Sequence, residues 1–182
     1  IRNYSLLNMN VLINELENVV IENKALSDRN GSSFLYLAEY NKEDHRLSFV
    51  PDRQRSEVAC LTLDEYLSDF EGDIHFLKSD TQGHELKILK GMQSAIRKNS
   101  DHLCCLMEFS PGLLESAEEG GLDEFLDYFD SYPAEIYWIA DNDGEPDLVL
   151  VNKEELRGFA LDMLVNREAD YSKDLLLFFS SV

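Results

Sequence analysis

The chain has 182 residues, 44% of them hydrophobic, which suffices for the packed core of one ordinary domain. Its 16 Lys and Arg stand against 36 Asp and Glu, a formal charge of −20, so it would repel a phosphate backbone and is not expected to bind nucleic acid. No apolar run approaches the ~20 residues that cross a bilayer, and no basic segment leads into an apolar one, so no membrane partner is expected and the cytoplasm is the expected location.

The chain opens at Ile1 directly on a helical pattern with no cap, which reads as a segment cut from something longer. Leu6, Met9, Ile13 and Leu16 fall on one stripe and predict an amphipathic helix over Asn3 to Leu16. The β-branched run Val19, Val20, Ile21 predicts a short strand, and the turn signal Ser27-Asp28-Arg29-Asn30-Gly31 separates it from a second strand over Phe34 to Leu37. From Ala38 to Glu57 the chain is polar and patternless, as in a long loop. Thr62 and Glu65 form a capping box, with Leu61 and Tyr66 as its staple, for a helix starting at Leu63.

Ile74 to Lys78 reads as a strand ending in a tight polar turn, and Leu86, Leu89, Met92 and Ile96 return at helical spacing. Leu103 to Met107 is a nearly unbroken apolar run, as in a strand covered on both faces. Leu122, Phe125, Leu126 and Phe129 mark a helix stopped by Pro133, and Asp141-Asn142-Asp143-Gly144 joins the strands Ile136 to Ala140 and Leu148 to Val151 as a hairpin. Asn152 and Glu155 cap a helix through Leu156, Phe159 and Met163, and Leu175 to Phe179 closes the chain as a strand. Alternating strands and helices predict a single α/β domain over residues 1–182. Cys60, Cys104 and Cys105 all lie in apolar runs and offer neither a disulfide framework nor a metal-ligand spacing, so they read as core thiols.

Ligands of open α/β sheets bind at the carboxyl ends of strands, which here are Asn23 to Ser27, Lys78 to Glu85 and Glu108 to Pro111. The second of these lies in Leu77 to Met92, LKSDTQGHELKILKGM, where Gly83 permits a tight turn crowded by Asp80, Gln82, His84 and Glu85. That run resembles the K-x-D-x-(E/Q)-G-x-E-x-x-x-L-x-G motif of the FkbM methyltransferase family. ALSDRNGSSFLYL, DHRL at Asp44 to Leu47, TLDEYL at Thr62 to Leu67 and MEFSPGLL at Met107 to Leu114 agree with it in order and spacing.

The resemblance implies a Rossmann-like class I methyltransferase fold with a mostly parallel sheet and helices on both faces. It implies S-adenosylmethionine (SAM) as cofactor and methyl donor, and a hydroxyl of a small molecule or glycan as acceptor. The family's opening strand with its glycine-rich D-x-G-A-N-x-G loop, and the strand ending in an acidic residue for the ribose, have no counterpart here. The chain is thus expected to be the C-terminal two-thirds or so of such a domain, with the first two strands and about 40 to 60 upstream residues absent, at roughly 30 residues per strand–helix unit.

An acceptor alcohol must lose a proton, and the candidate catalytic residues are His45 and Asp80. Read otherwise, His45 is a solvated loop histidine and Asp80 an N-cap. Candidate substrate-binding residues are Arg46, Gln82, Glu85 and Glu108; Glu85 is equally suited to steadying its turn, and Lys78 to pairing with an acid such as Glu108. Lys24, Ala25 and Leu26 match the place where this fold class packs adenine. No compact acid cluster suggests a metal. A homo-oligomer is allowed, and a non-catalytic module that kept the fold without binding SAM is the rival reading.

Overall fold

The computed structural model describes residues 2–41, 44–142, 144–166 and 172–180; Ile1 and Asp143 therefore lie outside the described residues. Helix α1 (Arg2–Ile13) is followed by strands β1 (Ala25–Leu26), β2 (Gly31–Leu37) and β3 (Gln54–Leu61) and the single-turn helix α2 (Leu63–Tyr66). Strand β4 (Phe76–Ser79), helices α3 (Glu85–Lys90) and α4 (Gln93–Asn99), strand β5 (Cys104–Phe109), and helices α5 (Pro111–Ala117) and α6 (Gly121–Ser131) come next. The hairpin β6 (Ala134–Asn142) and β7 (Glu145–Val151), helix α7 (Lys153–Asn166) and strand β8 (Lys173–Phe179) complete the order.

The strands form two sheets, ordered β1-β3-β2 and β4-β5-β8-β6-β7. Only β1 with β3 and β4 with β5 run parallel; the other four pairings are antiparallel. The expected mostly parallel sheet is thus corrected to two mixed sheets. The physical reason lies in the connections: the β4–α3–α4–β5 crossover can deliver a parallel strand, whereas the tight β6–β7 turn and the return of β8 between β5 and β6 enforce antiparallel pairing.

The core lies on the helix-covered side of the larger sheet. Cys105, Met107 and Phe109 of β5 and Leu175 and Leu177 of β8 are fully buried against Leu89, Met92, Phe125, Leu126 and Leu156. Phe109 stacks on Phe125 at 5.4 Å, and the Tyr128 hydroxyl donates to the Leu89 carbonyl at 3.0 Å. Burial pushes the Cys105 thiol up to about 12, so it is an inert core thiol.

Several elements depart from the expectation. Val19 to Ile21 forms no strand and Val20 is 80% exposed; β-branched residues favour a strand only where a neighbour supplies the ladder. The Leu6, Met9 and Ile13 stripe of α1 is likewise exposed. Strand β3 occupies the end of the expected loop, because its pairing with β1 and β2 overrides the polar sequence of Gln54 to Glu57. Pro111 sits at the first turn of α5, where its missing N–H costs nothing.

The caps follow the sequence more closely. The Thr62 hydroxyl accepts the Glu65 N–H at 3.1 Å, but the reciprocal bond to the Thr62 N–H comes from Asn30, at 2.9 Å. Asn152 and Glu155 form the full reciprocal box, at 2.8 and 3.0 Å.

The two sheets are joined at a few defined points. Asp64 of α2 caps α4 by accepting the N–H groups of Ser94 and Ala95, both at 2.9 Å, and donates its own N–H to the Gly91 carbonyl at 3.0 Å. Asp64→Ala leaves two helix N–H groups without their cap and is expected to lower stability by about 1–2 kcal/mol, as measured by urea unfolding. Gly91 packs so closely on the residue after β1 that a Cβ there would stand 2.1 Å from the Ser27 carbonyl oxygen.

Candidate active site

The carboxyl ends of β1 and β4 face one space. β1 stands at one edge of the small sheet and β4 at one edge of the large one, and Ala25, Leu26, Leu77, Lys78, Ser79 and Asp80 line an inner chamber of about 310 Å³ between them. An open outer cleft of about 1510 Å³ lies beside it, bounded by α1, the small sheet and the 38–53 loop. Lys24, Ala25, Leu35 and His45 line both spaces.

His45 is held at this junction from two sides. Tyr36 and Arg46 exchange backbone hydrogen bonds of 2.7 and 3.1 Å, which fixes the chain after it, and the Ala38 N–H donates to its Nδ1 at 3.0 Å. A main-chain N–H requires a lone pair, so the neutral ring carries its proton on Nε2 and presents a donor there. Arg46 and Arg53 both engage the Asp44 carboxylate. Burial pushes that carboxyl up, but the hydrogen bonds and charges of the two guanidinium groups more than offset it and hold it below the usual carboxylate range. Arg46 is therefore paired with an acid, and Arg53, absent from the sequence-based candidates, shares the task of bracing the His45 loop.

The β4–α3 turn gathers four of the candidates. Gln82 and Gly83 both have positive φ, 56° and 93°, an uncommon geometry for glutamine of the kind found at functional sites. A Cβ at Gly83 would meet the Leu113 carbonyl oxygen at 2.7 Å. The turn is held from beneath by Glu85, only 1% exposed, which accepts the Thr81 N–H and hydroxyl, both at 2.8 Å. Burial pushes the Glu85 carboxyl up, and the hydrogen bonds from its own N–H and from Thr81 offset this only in part.

Gln82 carries its amide from Asp80, at 3.4 Å, to Glu108, at 3.1 Å. Lys78 pairs with Asp80 at 3.2 Å, not with Glu108. Asp80 caps no helix, since His84 occupies the position before α3. Burial raises the Glu108 pKa; a Ser172 hydrogen bond opposes this, and the charges of Asp80 and Asp174 add to it. Lys24, beside β1, pairs with Glu22 at 3.1 Å and lies over the Tyr66 ring. Among the described residues, no three His, Cys, Asp or Glu side chains converge as a metal site, and no helix is long and apolar enough to cross a membrane.

His84, set aside by motif reasoning, lines the inner chamber with Ser79 and Thr81. Its Nε2 lies 3.2 Å from the Ser27 hydroxyl, which itself donates to Asp28 at 3.1 Å. Burial, with the nearby charge of Lys87, pushes the His84 pKa down to about 4.

Searches of curated proteins and of solved structures found no match. The family model for the methyltransferase FkbM domain matches residues 2–131, from α1 through α6, and thus both chamber-lining strands and the β4–α3 turn. With more than half of its residues under that match, the chain belongs to the FkbM methyltransferase domain family.

Proposed function

We propose that the chain is the acceptor-facing part of a SAM-dependent O-methyltransferase that methylates a hydroxyl of a glycan or other metabolite. The observation that carries this reading is that His45, Lys24, Ala25 and Leu35 line both the inner chamber and the outer cleft. A methyl transferase needs two such spaces sharing a wall, one for the donor and one for the acceptor.

The inner chamber, walled by Ala25, Leu26, Leu35, Leu77 and Ile88, suits the apolar body of a nucleoside. The outer cleft is larger than the ~300–1,000 Å³ of common small-ligand pockets and suits an extended acceptor. The open edges of β1 and β4 are where the family resemblance would seat the strands and glycine-rich loop that hold the amino-acid end of the cofactor.

SAM, when bound, supplies an already activated methyl group, so the protein's work is alignment and removal of the acceptor proton. In our reading Asp80, on the inner wall and fixed by Lys78 and Gln82, takes that proton, while His45 donates Nε2–H to orient the acceptor oxygen. Gln82 and Glu108 contribute hydrogen-bonding groups beside the acceptor, and Glu85 holds the turn.

Calorimetric titration of SAM tests the reading, on this chain alone and joined to any natural upstream sequence. Binding by either form supports it; binding by neither favours a non-catalytic module. In the form that transfers methyl groups, Asp80→Ala is expected to lower kcat by about a hundredfold with an unchanged melting temperature. Wild-type turnover would remove Asp80 from the chemistry.

A further inference from the structure

The inner chamber contains polar groups that the reaction above does not use. Ser79 is 3% exposed, lines the chamber, and its hydroxyl has no hydrogen-bond partner among the described residues. A buried hydroxyl left so costs about 1–3 kcal/mol, which a bound ligand would recover. His84 stands on the same wall, and its side chain makes no capping bond to α3.

The hydrogen bonds behind His84 determine what it can offer. Asp28 is a carboxylate and only accepts, so the single proton of the Ser27 hydroxyl goes to it at 3.1 Å. The oxygen of Ser27 is then left with lone pairs only, and the 3.2 Å contact to His84 requires the histidine to donate from Nε2. The neutral ring has one proton, so Nδ1 is an acceptor. The ring is neutral because burial disfavours its charged form, and Lys87 and Arg29 nearby oppose a second proton more than Asp28 favours it.

We propose that His84, oriented by the Asp28–Ser27 relay, presents an acceptor nitrogen to the inner chamber and selects a nucleobase with an exocyclic amino group, adenine over hypoxanthine. This rests on the reading of that chamber as a nucleoside site. The amino group of adenine donates to Nδ1, whereas the carbonyl oxygen of hypoxanthine in the same place would meet a second lone pair. Ser79, whose hydroxyl can donate or accept, takes a ring nitrogen of either base and adds affinity without discrimination.

The test is titration of S-adenosylhomocysteine and S-inosylhomocysteine into the SAM-binding form of the protein. The adenosyl compound is expected to bind about tenfold to a hundredfold tighter, the range of one buried hydrogen bond made or lost. His84→Leu should bring the two affinities within about threefold, and Ser27→Ala, which frees the ring tautomer, should shrink the preference. Ser79→Ala should weaken both ligands alike.

Equal wild-type binding of the two compounds, or a preference surviving in His84→Leu, overturns the assignment of His84 and leaves the cofactor reading standing. Failure of wild type to bind either compound removes the cofactor reading and this assignment together. The ring is also observable without a variant: two-bond proton–nitrogen correlation should show His84 as the Nε2–H tautomer at pH 7, and an Nδ1–H tautomer overturns the proposal.

Discussion

A chain carrying Gly91→Ala is expected to lose at least about 3 kcal/mol of stability, the upper range for overpacking, because the new methyl has no room to move into. Gly91 has an ordinary φ of −85°, so backbone strain is not the reason. The added Cβ would stand 2.1 Å from the Ser27 carbonyl oxygen and 3.4 Å from that of Lys87, and both contacts are with backbone. Relief requires Ser27 to move away from α3, which would stretch the Ser27–His84 contact and the Asp64 N–H bond to the Gly91 carbonyl. Urea unfolding measures the loss; a variant within 1 kcal/mol of wild type would show that the two sheets do not meet as described.

The second large effect is on pH dependence. His84 has an ordinary pKa of 6.5 and is pushed down to about 4 in the fold. Between those values the unfolded chain binds a proton that the folded chain refuses, so this histidine makes stability fall as pH drops through 6.5 towards 4. From pH 7 to pH 5 its share is about 2 kcal/mol.

Glu85 and Glu108 have raised pKa values and act in the opposite sense, since the folded chain takes their protons first as the pH falls. The histidine effect is therefore isolated by comparison. The difference in unfolding free energy between wild type and His84→Gln should shift by about 2 kcal/mol between pH 7 and pH 5, with wild type losing more. A difference that does not change with pH would mean that His84 titrates normally.

Elements whose signals are local were legible in the sequence. The apolar run of β5, the Phe125 and Phe129 stripe of α6, the hairpin and the Asn152 box need only near neighbours, and they stand close to where periodicity and turn chemistry set them. Elements defined by distant partners were not. β3 is polar and becomes a strand through Cys60 beside Ala25 and Gly31, while the run at Val19 finds no such neighbour. Sheet polarity was hidden for the same reason, because nothing in Leu175 to Phe179 states that this strand inserts between β5 and β6.

The site divides along the same line. The β4–α3 turn was readable, since Asp80, Gln82, Gly83 and Glu85 are adjacent in sequence and a tight turn must bring them together. The pairing of Lys78 with Asp80 and the Gln82 bridge to Glu108 depend on the strained φ of Gln82, which residue type does not announce. Arg53 and His84 were missed because their partners, Asp44 and Ser27, lie 9 and 57 positions away. An unmatched buried hydroxyl such as Ser79 is visible only once its surroundings are.

The place of β8 also bears on how the chain folds. It is the latest strand in the sequence, yet it lies third of five in the larger sheet, bonded to β5 on one side and β6 on the other. During synthesis the crossover unit and the β6–β7 hairpin can each form early, but nothing joins them until residues 173–179 have emerged. Completing the sheet requires closing a loop of some sixty residues or more between Cys104 and Phe178, which predicts a slow, non-local final step and an interval in which the edges of β5 and β6 stand open to misassociation.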